Sequence, residues 1–150
     1  MRNAPEIREL QKGDLDVLLE AYQDLQPQDV PLPARPQLER MWAEILVDPR
    51  LAYLGAFAGP RLLATCTAVV VPNLTRGGRP YAVIENVWTA PDRRREGLGA
   101  AVVRKMLDHC WGENCYKVML LSGHQRHGAH EFYERLGFDK HAKQGFVIRN

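Results

Sequence analysis

Runs of β-branched and aromatic residues alternate along this chain with runs whose apolar positions recur at helical spacing. The first kind of run predicts strands, because strand residues alternate between the two faces of a sheet. The final stretch of the sequence also has this character. The predicted strands are Glu6–Leu10, Leu51–Ala58, Leu62–Val71, Tyr81–Thr89, Lys117–Leu121 and Phe146–Ile148.

Apolar residues at helical spacing predict four helices between these strands. The first begins after Asp14, which we expect to be its N-cap residue. Four prolines between Gln26 and Pro36 predict an irregular, stiff loop, because proline lacks a backbone donor and disfavours helix in its predecessor. The remaining helices are expected at Gln37–Val47, Gly97–Cys110 and Gly128–Leu136.

The connections between the predicted strands indicate the fold class. Gly59-Pro60 is a hairpin-type turn signal between two strands, and a loop from Pro72 to Pro80 leads into the next strand. Tight turns join antiparallel neighbours, whereas parallel strands need long crossovers. We therefore predict a single α+β domain over residues 1–150, with a mixed, largely antiparallel central sheet flanked by helices.

The composition excludes several classes of protein. A hydrophobic fraction of 45% and a charged fraction of 25% are ordinary globular values, which exclude a disordered or fibrous chain. A net charge of +2 excludes a globally basic nucleic-acid binder but permits a local basic site. No apolar run is long enough to cross a membrane. An odd number of cysteines, three, favours reduced thiols and a cytoplasmic location. The sequence leaves the oligomeric state open, and a homodimer is compatible with it.

The strand Tyr81–Thr89 contains two polar residues, Glu85 and Asn86, between apolar positions. Both faces of this strand are otherwise mostly apolar, which predicts a central strand covered on both sides. A carboxylate buried there without a partner would cost several kcal/mol in desolvation. Three readings stay open: Glu85 forms a buried ion pair with an arginine, the strand ends nearer to solvent than the pattern indicates, or Glu85 faces a cleft as a general base.

A basic, glycine-containing turn, Ala90 to Ala100, connects this strand to the following helix. Unpaired backbone N–H groups and the dipole at a helix N-terminus attract anions, and arginines such as Arg93 add charge-assisted hydrogen bonds. A phosphate-binding P-loop motif is absent, and the dinucleotide fingerprint would need a glycine at Val102. The alternative is a solvated basic loop whose glycines only allow close packing.

Three segments, in order, resemble those of the Gcn5-related N-acetyltransferases. Arg94–Gly99 is similar to the R/Q-x-x-G-x-G/A motif that binds the pyrophosphate of acetyl-coenzyme A. Glu85-Asn86-Val87 lies on the preceding strand, where many members carry a catalytic glutamate, and Ala129–Phe138 resembles the segment A-x-x-[FL]-Y-x-x-x-G-F. The resemblance covers residues 81–138 and implies the GNAT fold, with acetyl-CoA as cosubstrate.

The resemblance also implies roles for individual residues. Glu85, directly or through a water, would be the general base, and Tyr133 would be the general acid that protonates the departing thiolate. A backbone N–H near Val87 would stabilise the developing oxyanion. Arg126 departs from the pattern, because family members often carry a cofactor-contacting Asn there, so no contact is assigned to it. The cofactor-binding positions implied are Val87, Thr89, Arg94, Arg95, Gly97, Leu98, Gly99 and Ala100.

The acceptor is not fixed by these motifs. A small primary amine is the first expectation, and the run Cys115-Tyr-Lys-Val is similar to one in glucosamine-phosphate acetyltransferases, which hints at an amino sugar. A protein or peptide amine and a non-catalytic CoA-binding regulatory module are the alternatives. The histidines at positions 124, 127 and 130 lack a metal-binding pattern, and no nucleic-acid recognition motif is present, so neither a metal nor a nucleic-acid partner is expected.

Overall fold

The computed structural model describes residues 4–150. Five strands and five helices follow one another along the chain, together with short 3-10 turns at Lys12–Asp14 and Pro91–Arg93. The strands are β1 (Glu6–Glu9), β2 (Leu51–Ala58), β3 (Arg61–Val71), β4 (Tyr81–Thr89) and β5 (Val118–Met119). The helices are α1 (Leu15–Leu25), α2 (Arg35–Val47), the four-residue turn α3 (Thr75–Gly78), α4 (Leu98–Gly112) and α5 (His127–Arg135).

The five strands form one sheet in the order β1-β2-β3-β4-β5. The first three pairs are antiparallel, as their tight connections require, and only β4 and β5 run parallel, joined through the crossover helix α4. The predicted fold class, a mixed and largely antiparallel sheet flanked by helices, is confirmed. Strand β4 is an interior strand, because it lies between β3 and β5.

The two faces of the sheet pack against different helices. On one face, alternate residues of the strands contact the buried stripe of α4, which consists of Val102, Val103, Met106 and Cys110. On the other face, α1 and α2 enclose a second cluster around Trp42. The Trp42 indole donates a hydrogen bond to the Lys12 carbonyl at 3.3 Å, and its ring meets that of Tyr53 edge-on at 5.3 Å. The polar edge of the site described below therefore lies between two packed layers.

Several predicted boundaries need correction. Helix α2 begins at Arg35 rather than Gln37, because Pro36 fits the first helical turn, where no backbone donor is needed. Asp14 precedes α1, but its side chain does not cap that helix and instead accepts hydrogen bonds from Arg8 and from the Gln11 N–H. The strand expected at Lys117–Leu121 shortens to two residues, since β4 departs from it.

The strand predicted at Phe146–Ile148 is wrong for the described residues. That segment has no regular secondary structure and is exposed. A strand needs a hydrogen-bonded neighbour, and none of the five strands pairs with this segment. No helix among residues 4–150 is long and apolar enough to span a membrane.

Close packing at Gly55 on β2 provides a test of the second core. A Cβ atom there would lie 2.6 Å from Leu62 Cδ1 and 2.8 Å from Phe57 Cε2. We expect Gly55→Ala to lower the free energy of unfolding by about 1–3 kcal/mol through overpacking. Denaturant unfolding measures this change. Gly13→Ala is the matched control, because nothing lies within 4 Å of its Cβ position, and an equal loss in both variants would contradict the packing described.

Candidate active site

Strand β4 contains a bulge at its centre. Thr67 of β3 pairs with Glu85 of β4, and Thr65 pairs with Trp88. These pairs are two residues apart on β3 but three residues apart on β4, so β4 contains one extra residue. Asn86 lies in this bulge, and its backbone adopts the left-handed region, with φ 53°. Asparagine tolerates that region better than most side chains, and bulges of this kind bend a strand and redirect its side chains.

The bulge coincides with a separation of β4 from β5. The two strands pair only at Ala82 with Val118 and at Val83 with Met119. Beyond Val83, the outer edge of β4 has no strand beside it among residues 4–150. Backbone groups around Val87 and Thr89 on that edge therefore lack a sheet partner, and a bound chain with amide groups could supply one.

Glu85 lies at this opening and is exposed. The reading of Glu85 as a buried carboxylate in an ion pair is wrong, because the side chain is accessible and forms no salt bridge within the described part of the chain. Asn86 beside it is exposed as well. Both residues can therefore contact a ligand that enters the opening.

Tyr133 lies on α5 and is half-buried. Burial raises the pKa of its phenol, the Arg126 guanidinium opposes the rise, and Cys66 and Glu85 add to it. Edge-on contacts with the rings of Phe132 at 5.1 Å and Phe138 at 5.9 Å hold the Tyr133 ring in place. At neutral pH the phenol therefore keeps its proton.

Tyr22 of α1 approaches the bulge from the opposite face of the sheet. Its hydroxyl is buried beside the Asn86 side chain without a well-formed hydrogen bond, and burial raises its pKa. Helical spacing in the sequence predicts Tyr22 only as an apolar position of the first helix. A hydroxyl that meets a polar residue of a neighbouring strand leaves no signal in helical periodicity.

The cysteine nearest the bulge is not a nucleophile. Cys66 of β3 is fully buried, and burial raises the pKa of its thiol to about 12. Cys110 is in the same state, with a pKa raised to about 12 by burial. Since the thiolate is the reactive form, neither residue would form an acyl-enzyme at neutral pH.

The turn after β4 forms a cradle of backbone N–H groups, which we define as residues Arg94 to Ala100. Arg95 has φ 63° and Gly97, the N-cap residue of α4, has φ 77°. The first N–H groups of α4 have no partners within the helix, and the space beside Gly97 is open, since nothing lies within 4 Å of its Cβ position. A phosphate group fits such a cradle, because the N–H groups and the helix dipole both favour negative charge.

The three arginines of this turn differ in their availability. Arg93 forms an ion pair with Glu96, at 2.8 Å, so much of its charge is already compensated. Arg94 lies 4.0 Å from Asp24, which already accepts a 2.7 Å hydrogen bond from the Trp88 indole. An exposed pair at that distance contributes little, so Arg94 can turn to a ligand. Arg95 is exposed, and no salt bridge involves it among residues 4–150.

The other predicted cofactor positions contribute through packing and backbone. A Cβ atom at Gly99 would lie 2.7 Å from Thr89 Oγ1, so this glycine allows α4 to pack closely on β4. Leu98 packs against the core beside α4, and Ala100 is half-buried. Their side chains do not face an open site, and only their backbone N–H groups are candidates for ligand contact.

Two open clefts lie on the surface of the described residues. One, of about 270 Å³, is bounded by α1 and residues 88–92, and includes Asp24 and Asp92. The other, of about 420 Å³, lies around Pro72 and Glu113. Neither is lined by Glu85 or Tyr133, so neither is assigned to the acceptor. Among residues 4–150, no group of three or more His, Cys, Asp or Glu side chains could hold a metal ion.

Known proteins resemble this chain along most of its length. The family described as Acetyltransferase (GNAT) family matches residues 15–138. A solved structure of a putative acetyltransferase from Agrobacterium tumefaciens str. C58 is 44% identical, with a TM-score of 0.90, covering 97% of this chain and 99% of that one.

Two curated relatives share a name that specifies a substrate. Glucosamine 6-phosphate N-acetyltransferase from Trypanosoma brucei brucei is 36% identical over 84 residues, which is 56% of this chain and 55% of that protein. Glucosamine 6-phosphate N-acetyltransferase 1 from Oryza sativa subsp. japonica is 34% identical over 89 residues, 57% of this chain and 52% of that protein. The chain therefore spans about half the length of these relatives.

The left-handed backbone at Gly97 allows a test of the cradle. We expect Gly97→Ala to weaken coenzyme A binding by about tenfold, because a side chain at φ 77° is strained by about 1–2 kcal/mol and would redirect the N–H groups. Isothermal titration calorimetry measures the change. Gly128→Ala is the control, since its Cβ position is open and its φ is not positive, and unchanged affinity in Gly97→Ala would contradict the cradle.

Proposed function

The chain belongs to the acetyltransferase (GNAT) family, whose members use acetyl-CoA as acyl donor. On that premise we propose that it transfers the acetyl group to a primary amine of a small molecule. Glu85 is the proposed general base and Tyr133 the proposed general acid. The observation that carries this proposal is the β4 bulge, which leaves the Glu85 carboxylate exposed, and burial keeps the Tyr133 phenol protonated.

The cradle is the proposed binding site for the pyrophosphate of acetyl-CoA. Its chemistry fits, because Gly97 and the first turn of α4 offer backbone N–H groups, and Arg94 and Arg95 are exposed cations. The free edge of β4 near Val87 would bind the amide groups of the pantetheine arm. Acetyl-CoA would supply a thioester, which is an activated acyl group.

The residues at the bulge have the properties that direct transfer requires. An alkyl ammonium has a pKa near 10, so the amine must lose a proton before it attacks, and Glu85 would accept that proton directly or through a water. A backbone N–H near Val87 would stabilise the oxyanion as the new C–N bond forms. The C–S bond then breaks, and the Tyr133 phenol would donate its proton to the departing sulfur.

An amino sugar is the narrower proposal for the acceptor. The names of the two curated relatives and the run Cys115-Tyr-Lys-Val support it, although the match spans only about half of those proteins. A peptide amine is the second candidate, because Glu85 is exposed. Acetyl-CoA turnover on a panel of amino sugars and short peptides, followed by release of free thiol, separates the two.

The role of Glu85 can be tested by removing its charge. We expect Glu85→Gln to lower kcat/KM for the amine by about 10²–10⁴-fold at neutral pH, the range that general-base catalysis contributes. Coenzyme A affinity should stay unchanged, which separates catalysis from binding. Glu44→Gln, an exposed substitution on α2, is the control for charge alone. Retained turnover in Glu85→Gln would remove Glu85 as the base.

The raised pKa of Tyr133 predicts the alkaline side of the pH profile. A phenol whose pKa is raised above 10 keeps its proton as the pH rises, so kcat should not fall from its titration up to about pH 10. Tyr133→Phe should lower kcat about 10–100-fold at every pH in this range, with Tyr116→Phe as the matched control. Stopped assays from pH 6 to about pH 10 measure the profile. A wild-type decline near pH 8 that disappears in Tyr133→Phe would contradict this assignment.

A further inference from the structure

Two threonines of β3, Thr65 and Thr67, are the buried polar residues among residues 4–150. Each side-chain hydroxyl donates a hydrogen bond to a backbone carbonyl of a neighbouring strand. Thr65 Oγ1 donates to the Leu54 carbonyl of β2 at 2.7 Å, and Thr67 Oγ1 donates to the Glu85 carbonyl of β4 at 3.1 Å. The two residues are two positions apart on one strand, so both side chains lie on the same face of the sheet. They differ in the strand to which each one bonds.

The Thr67 hydroxyl bonds to β4 at its bulge. Thr67 pairs with Glu85, and the register shift lies between this pair and the pair of Thr65 with Trp88. A bulge disrupts the regular ladder of backbone hydrogen bonds, so a side chain that bonds to the backbone there restricts how the strand bends. Among residues 4–150, no other side chain forms a hydrogen bond to the backbone of residues 85–88. Thr67 is therefore the side chain that holds this part of the backbone.

The position of the Glu85 carboxylate depends on that backbone. The side chain is exposed and forms no salt bridge within the described part of the chain, so no ionic partner fixes it. The Glu85 Cα atom is bonded to the carbonyl group that accepts from Thr67. Directly paired residues of antiparallel strands also have Cβ atoms only about 4.5–5.5 Å apart. Holding this carbonyl therefore restricts the direction in which the Glu85 side chain leaves the strand.

We propose that Thr67 is a positioning residue for Glu85, which directs the carboxylate toward the incoming amine by holding the Glu85 carbonyl. The proposal rests on the proposed function, because Glu85 is the base that Thr67 positions. Thr67 itself is only 6% exposed, so it acts through Glu85 rather than on the amine. A catalytic group must be held close to its productive geometry, and a misplacement of about 1 Å can lower the rate about 100-fold.

Thr65 provides a matched control for this role. Valine is close to threonine in shape but cannot donate, so Thr65→Val and Thr67→Val each remove one buried hydrogen bond, and we expect comparable decreases in Tm. In assays with acetyl-CoA and the most rapidly acetylated amine of the panel above, Thr67→Val should lower kcat about 10–100-fold and leave the KM for acetyl-CoA within about twofold. Thr65→Val should keep kcat within about twofold of the wild type, and so should Thr67→Ser, which retains the hydroxyl.

A double-mutant cycle connects the effect to Glu85. In the Glu85→Gln background, Thr67→Val should change kcat by less than about twofold, because the effects of residues that act as a unit are not additive. A loss that persists in full in this background would overturn the positioning role. The alanine pair Thr65→Ala and Thr67→Ala repeats the comparison if a valine variant does not fold.

The same assays separate the failure of this proposal from the failure of the proposed base. Equal kcat values in Thr67→Val and Thr65→Val, together with a large loss in Glu85→Gln, would overturn the positioning role and leave Glu85 as the base. Retained turnover in Glu85→Gln would overturn both. A loss of kcat in Thr67→Val that Thr67→Ser does not show, and that Glu85→Gln abolishes, is the result we expect.

Discussion

One extra residue in β4 determines how the rest of the site is arranged. Because Asn86 has no counterpart on β3, the strand bends there, and its outer edge separates from β5 after two paired positions. Strand β4 otherwise runs through the middle of a packed sheet, where all backbone groups would be paired. The bulge thus creates a polar opening between two apolar layers, and it exposes Glu85 in a strand that would otherwise cover it. Tyr22 packs against the Trp42 cluster on one face of the sheet, and the Tyr133 ring contacts Phe132 and Phe138, which pack against the core on the other face.

The two glycines of the cradle illustrate how packing and ligand chemistry differ within one motif. Gly99 lacks a side chain because Thr89 lies where its Cβ would be, so it fixes the distance between α4 and β4. Gly97 has open space beside it but a left-handed backbone, so its role is to turn the chain into the helix. The sequence motif shows a glycine at both positions and does not distinguish these two roles. The close approach at Gly99 places the first turn of α4 against the end of β4, where the backbone N–H groups of Gly97 and its neighbours meet an open surface.

The sequence predicted those features that depend on local spacing. Strands β2, β3 and β4 were predicted to within one residue of their observed ends, because alternation of side chains and the turn at Gly59-Pro60 are local properties. The exposure of Glu85 was not predictable, since it follows from a register shift between β3 and β4 that periodicity does not record. The length of β5 and the absence of a strand at Phe146–Ile148 depend on which segments pair in the sheet, which local spacing does not specify. The resemblance to the family identified Tyr133 as a candidate site residue, whereas Tyr22, with its buried hydroxyl, belongs to no recognised motif.

The environment of the bulge favours direct transfer over a covalent enzyme intermediate. Burial raises the pKa values of both the Cys66 thiol and the Tyr133 phenol, yet the consequences differ. A thiol with a pKa of about 12 holds less than about one part in 10⁴ as thiolate at neutral pH, so Cys66 is inert as a nucleophile. A phenol with a raised pKa is fully protonated, which is the state a general acid needs. The same low-polarity surroundings therefore disable a thiol nucleophile and keep the phenol protonated, whereas the carboxylate of Glu85 is exposed.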